Sequence, residues 1–430
     1  MCDQYFGCTD IQFEKVTGGN LFHNRRILKD GQILFLANSS LTDSVKGEFT
    51  IMGRSAARMD LFTGEITQYA HERKAKNKIG LSFSLPPAGS LLLYLSESET
   101  KETIEEIKPA VLTPVSPDSG MIIQLQKENV LMMDFCDLSV EGKTTKDLHV
   151  LDAADEIYRH YGFKDGNPWS SYVQYNNNLM MRDTFASKTG FTVVYHFNIE
   201  SRFDFSGMRA VVERPWLWNV LINGQEVHNL PGKWYLDHSF GVFDIGNLVK
   251  QGDNELTLVV SPMNLLAEIE PAYITGNFSV VAASKGWTLN KPPVSFDVGS
   301  WDGQGLPFYP WGVFYSRVFD IQDPAGYYEV RTGKWNGTVS EVSVNGQAVG
   351  IVAFPPYSIN VSNFIKKGNN TIRLTVTGSL KNLLGPHHNN PPKGLAISPF
   401  WRGEPSYPPG NEYQIMKYGL MDDFFLYRGK

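Results

Sequence analysis

Apolar and polar residues alternate with a period of two along much of this chain, the spacing that sends successive side chains to opposite faces of a strand. LTLVV at 256–260 and IRLTV at 372–376 show it cleanly. A helix needs apolar positions every three to four residues, and AADEIYRHYGF at 153–163 is the stretch that fits one. The alternation also recurs. Asn223, Gly224, Gln225, Glu226 and Val227 return as Asn345, Gly346, Gln347, Ala348 and Val349, and FTVVYHFNI at 191–199 lines up with VFYSRVFDI at 313–321. Downstream, Gly252, Asp253 and Asn254 answer to Gly368, Asn369 and Asn370. Small loop differences around a shared framework are the mark of two copies of one domain.

Asn-Gly between apolar runs predicts a tight hairpin, because such a turn needs positive φ at its central residues and Gly adopts it without a Cβ clash. Short strands separated by Gly, Pro, Asn and Asp favour two packed antiparallel sheets. The predicted class is all-β: a small antiparallel β-domain followed by two galactose-binding-like jelly-roll β-sandwiches. In the first unit ILFLANSS at 33–40, GEFTIMG at 47–53 and SLLLYLS at 90–96 read as strands, with TGEI at 63–66 as a turn. The stretch 96–120 is charged, then Pro-punctuated, and reads as a linker or an extended crossing segment. Residues 121–185 are expected to lead into the first sandwich. The units run 1–100, 101–298 and 299–430, the last boundary falling where KPPVSFDVGSWDGQG loses all periodicity.

The length of 430 residues suits about three domains of ~100–150 residues. Aromatic residues make up 13% of the chain, and a net charge of −6 gives no basic face for nucleic acid. Cys2, Cys8 and Cys136 form neither a metal-ligand spacing nor a disulfide framework. No apolar run reaches the roughly 20 residues needed to span a bilayer. MCDQYFGCTD lacks the basic and apolar regions of an export signal.

HNRRILKDGQILFLANSS at 23–40, RMDLFTGEI at 58–66 and LPPAGSLLLYL at 85–95 resemble the β-domain that follows the catalytic barrel of large bacterial glycoside hydrolases. The resemblance is to the α-L-rhamnosidases of glycoside hydrolase family 106. ERPWLWNVLINGQEV at 213–227, GLPFYPWGVFYSRVF at 305–319 and VTGSLKNLLGPHH at 376–388 resemble that family's galactose-binding-like sandwiches, as found also in family 2 hydrolases. It implies a plant or microbial glycan as partner, a periplasmic or extracellular setting, and a catalytic barrel upstream of Met1. A TIM barrel takes roughly 250 residues, and this chain has no strand–helix series of that length. No catalytic residue is therefore carried over. The expectation is a non-catalytic region that supports or extends a glycan cleft; the alternatives are a complete hydrolase with its site between the sandwiches, and a structural or adhesive surface protein.

Hydrolysis of a glycoside generally needs two carboxyl groups about 5–10 Å apart, and spacing alone places no such pair. Glu213, Asp237, Glu268, Glu270, Glu404 and Asp422 are acidic residues that turns and strand ends also explain. The adjacent His387 and His388 offer metal-ligating imidazoles, but with no regular ligand spacing nearby loop histidines are the favoured reading, so no metal and no cofactor is assigned, a structural calcium ion being left open. Sugars are held by aromatic faces together with hydrogen-bonding groups. Two neighbourhoods offer both. Trp216, Trp218, Trp234, Tyr235, Asp237 and His238 flank the first NGQ turn, where core packing competes as the explanation. After Leu384 a long insertion without counterpart in the first copy carries Trp401, Arg402, Glu404 and Tyr407. Packing against a neighbouring unit is the competing reading there.

Overall fold

The computed structural model describes residues 11–61, 64–74, 77–99, 111–170, 183–389, 397 and 400–429. Cys2, Cys8, the charged stretch 100–110 and most of 390–399 lie outside the described residues. The chain is all-β, built of antiparallel sheets, with no barrel among the described residues. The first unit is two facing sheets. One joins Ile11–Thr17, Val45–Met52, Lys78–Leu85 and Glu72–Lys74; the other joins Leu21–Ile27, Gly31–Asn38, Ser90–Ser96, Ser55–Met59 and Ile66–Gln68. The alternation seen in the sequence becomes a one-sided core: Leu34, Leu36, Phe49, Ile51, Leu81 and Leu93 are buried between the sheets. Each such side chain withdrawn from water contributes about 1.5–3 kcal/mol before the entropy of ordering is counted.

The two copies share one plan. In the first, Phe191–Ile199 pairs along its length with Gly252–Val260, which carries Asn219–Ile222 on its other side. In the second, Gly312–Ile321 pairs with Gly368–Thr377, and Val339–Val344 follows. Both Asn-Gly pairs form the expected hairpins, with Ile222 opposite Gln225 and Val344 opposite Gln347. Asn223 and Gly224 have φ of 48° and 79°, Asn345 and Gly346 of 53° and 82°. Positive φ at both central residues is the primed turn whose twist matches that of its strands. The repeated Asn of GDN and GNN also has a physical reason. Asn254 is buried, accepts the Lys250 N–H at 2.9 Å and the Asn223 Nδ2–H at 2.9 Å, and donates to the Lys250 carbonyl at 2.7 Å. Asn370 repeats this with Lys366 and Asn345.

Each copy is completed by two leading strands. Asn129–Met133 joins Ala272–Gly276, and Phe135–Val140 joins Phe191–Ile199, both in the first sandwich. The strands of the second sandwich come from further upstream: Leu112–Val115 pairs with Phe424–Gly429, and Ile122–Leu125 with Gly312–Ile321. Part of the stretch expected to lead into the first sandwich thus belongs to the second, whose strands flank the first in sequence. The physical reason is that Ile122–Leu125 covers an edge that would otherwise expose unpaired N–H and C=O groups, and local sequence does not say which sheet a strand completes. The predicted helix is present at Val150–His160. Val150, Ala153, Ala154, Ile157 and Tyr158 form its buried face, and the Tyr158 hydroxyl donates to the Leu265 carbonyl at 2.7 Å.

Candidate functional site

Asp134 is the single residue between Asn129–Met133 and Phe135–Val140, where the chain passes from one sheet of the first sandwich to the other. Its neighbours VLMM and FC are apolar and buried, so its carboxylate enters the core and needs partners there. It has them. The Tyr413 hydroxyl donates to Oδ1 at 2.7 Å, and Nε2 of His388 donates to Oδ2 at 2.8 Å. His149 lies with Nε2 at 3.8 Å from the same Oδ2. Its Nδ1 accepts the Leu151 N–H at 3.3 Å, which makes it the N-cap of the Val150–His160 helix. His387 faces Asn382, donating from Nε2 to its carbonyl at 2.8 Å.

Burial alone would raise the Asp134 carboxyl, but the His388 hydrogen bond and the surrounding imidazoles outweigh it and hold the carboxyl below the ordinary carboxylate range. Burial takes His149 and His387 from the usual 6.5 down to about 4, against the pull of Asp134. Both are neutral near pH 7. Register brings a second acid to this end of the sheet: Met133 opposes Ala272, which places Glu270 and Pro271 beside Asp134. Burial, then the negative Glu268 and Glu213, push the Glu270 carboxyl well above its ordinary value, with Arg214 offsetting only part. Arg214 sits 3.4 Å from Glu213 and 3.5 Å from Glu268, and Asn167 donates to Glu268 at 2.6 Å.

Asp134, His149, Glu270 and His388 line a pocket of about 350 Å³, closed on one side by Trp401 and Arg402 of the insertion. The first copy supplies the acids and His149, and the second supplies the loop. Trp401 is 44% exposed and Arg402 is exposed. Glu404 lies near Asp152, whose carboxyl is raised by burial and by the negative Asp155 and Glu404. Tyr407 stacks on Phe135 with ring centroids 4.2 Å apart and an interplanar angle of 7°. Trp401 and Arg402 therefore face the pocket, whereas Tyr407 packs the insertion onto the first sandwich.

The aromatic group around the first NGQ turn divides. Trp218 is buried, edge-on to Phe191, with Nε1–H donating to the Glu213 carbonyl at 3.2 Å. Trp216 and Trp234 are exposed, Trp234 against His238 at 4.7 Å. Tyr235 is half-buried against Trp311, and Asp237 closes its own turn by accepting the Ser239 N–H at 2.7 Å. Asp422 accepts the Lys334 N–H at 3.3 Å. The loop histidines differ from the solvent-facing residues that such a loop suggests: both are buried, His388 as a donor to Asp134, 254 residues away in sequence, and His387 as a donor to the Asn382 carbonyl. Sequence reasoning missed Asp134, His149 and Tyr413. The available signal was a lone Asp inside the apolar run VLMMDFC, since a charge in such a run is buried and must be paired.

No family model and no curated protein matches this chain. Among solved structures, a rhamnosidase from Novosphingobium sp. PP1Y is similar over 99% of this chain and 26% of its own, at 12% identity and a TM-score of 0.44. An α-L-rhamnosidase from Streptomyces avermitilis, complexed with L-rhamnose, is similar over 97% of this chain and 35% of its own, at 11% identity and a TM-score of 0.24. A β-D-mannosidase from Dictyoglomus thermophilum is similar over 58% of this chain and 31% of its own, at 10% identity and a TM-score of 0.21. The chain spans about a quarter of the length of the Novosphingobium protein.

Proposed function

We propose that this chain is a carbohydrate-associated, non-catalytic region of a family 106-like glycoside hydrolase, whose sandwiches support or extend a glycan-binding cleft. In this reading the barrel belongs to another part of the parent protein, the partner is a plant or microbial glycan, and the setting is periplasmic or extracellular. The observation that carries it is the pocket where Trp401 and Arg402, on an insertion the sandwich fold does not require, meet the acids of the first copy. A ring face for the C–H surface of a sugar, beside charged hydrogen-bonding groups for its hydroxyls, is the combination saccharide recognition needs.

A second reading, hydrolysis in this pocket, is favoured by one observation: Glu270 is pushed up and Asp134 held down, the split that separates an acid from a base. Two facts weigh against it. Both Asp134 oxygens already hold partners, and the residue is buried. Glu270 is then the one carboxyl group facing the pocket without a hydrogen-bonded partner among the described residues, and glycosidases generally work with two. The test pairs two measurements. Purified chain is expected to leave aryl glycosides, α-L-rhamnosides included, unhydrolysed, and to bind glycans on an array with a signal that Trp401→Ala weakens. Turnover abolished by Glu270→Gln establishes the second reading; glycan binding indifferent to Trp401→Ala removes the first from this pocket.

A further inference from the structure

We propose that Asp134, His149 and His388 form a binding site for one divalent transition-metal ion of the zinc class, clasping the insertion of the second copy onto the first sandwich. The three offer one carboxylate oxygen and two imidazole nitrogens, all within 4.8 Å of one another. Two imidazoles and a carboxylate suit zinc and its neighbours, whereas calcium and magnesium take oxygen ligands throughout. With bonds of about 2.0–2.2 Å, zinc holds its ligand atoms a little over 3 Å apart. The separations of 2.8 Å from Oδ2 to His388 and 3.8 Å from Oδ2 to His149 bracket that spacing. The two imidazoles stand edge-to-face with centroids 5.2 Å apart.

The surroundings fit an ion as well. Tyr413 occupies Oδ1 and leaves Oδ2 for the metal, the outer-shell hydrogen bond that orients a ligating carboxylate. All three residues line the pocket of about 350 Å³, which supplies access and an open fourth position. Binding requires each imidazole to present Nε2 bare, its proton moving to Nδ1. For His149 this replaces the acceptance of the Leu151 N–H, at 3.3 Å a long hydrogen bond. Without an ion the cluster is held by the His388–Asp134 hydrogen bond alone, with His149 3.8 Å from Oδ2, and a cluster that stays so when zinc is offered overturns the proposal.

The experiment uses the untagged full chain, stripped with a chelator and titrated with Zn²⁺ against a competing chelator. One ion per chain is expected, retained through gel filtration. His388→Ala and Asp134→Asn should each lower the affinity by at least about 100-fold, since even outer-shell changes cost 10–100-fold. Tyr413→Phe, which keeps all three ligands, should cost roughly tenfold. Because loss of a buried group can unfold the region, the wild type carries an independent arm. Its histidine ring nitrogens are followed by NMR as Zn²⁺ is added, and two imidazoles should become Nε2-ligated with protonated Nδ1. Failure of folded wild type to retain zinc, retention unaffected by the His388 and Asp134 substitutions, or no change at two imidazoles sinks the proposal.

Discussion

Replacing Gly224 or Gly346 with Val isolates the backbone contribution of the repeated turn. Their φ values are 79° and 82°, in the left-handed region, and an added Cβ at either position meets nothing within 4 Å. The cost is therefore conformational rather than steric. For an L-residue it is about 1–2 kcal/mol, near the top of that range for a β-branched one. At roughly 2–4 °C per kcal/mol for a unit of this size, each substitution should lower the melting temperature of its own sandwich by about 2–8 °C. Asn at the same position should cost less, since its short polar side chain tolerates positive φ. Gly419→Ala is a useful contrast: at φ 137° its added Cβ also collides with the Gly299 carbonyl, so even the smallest side chain should cost more than Val costs at the turns. Urea and thermal unfolding of these variants provide the comparison. If both Val variants unfold with the wild type, or if Asn costs as much as Val, the positive-φ argument is wrong.

Trp401→Ala should leave the melting temperature nearly unchanged by calorimetry, because the residue is 44% exposed; a fall of several degrees makes it a packing residue. Glu270→Gln should raise stability at pH 7 and do little near pH 4. The folded carboxyl is raised above the unfolded value, so the folded chain binds more protons and stability is lost as pH rises through the folded value. Urea midpoints at the two pH values check it, and an equal gain at both contradicts the sign. Asn254→Ala and Asn370→Ala should each cost about 1–3 kcal/mol in urea unfolding, as each removes a buried side chain that bonds both backbone groups of a turn lysine, and a neutral effect at either position ends the structural account of the repeat. Tyr158→Phe should cost only about 1 kcal/mol by the same measurement, because the Leu265 carbonyl keeps a second donor in Trp169 Nε1–H at 2.9 Å.

Much of the fold was legible because strand and turn signals are local. The expected strands at 33–40, 47–53 and 90–96 appear as Gly31–Asn38, Val45–Met52 and Ser90–Ser96. Both NGQ turns and the helix after residue 149 are present. The pocket was legible only in part. Trp401 and Arg402 stood out as aromatic and charged groups on an insertion, and both reach the pocket lining. Tyr407 belonged to the same run but lies flat on Phe135, a contact between residues far apart in the chain. Trp216 and Trp218 show the same limit at short range: they alternate as strand residues do, yet one is 66% exposed and the other 8%.

The sequence by itself determined the period-two strands, the positive-φ turns and the duplication, because each depends on the φ preferences of single residues or on side chains a few positions apart. Tertiary structure alone decided that Leu112–Val115 and Ile122–Leu125 complete the second sandwich and not the first. It alone also brought Asp134, His149, His388 and Tyr413 into one buried cluster. An edge strand pairs with whichever edge remains open, and a buried carboxylate takes the donors that packing delivers from any distance along the chain. Neither choice leaves a periodicity or a spacing in the amino-acid sequence.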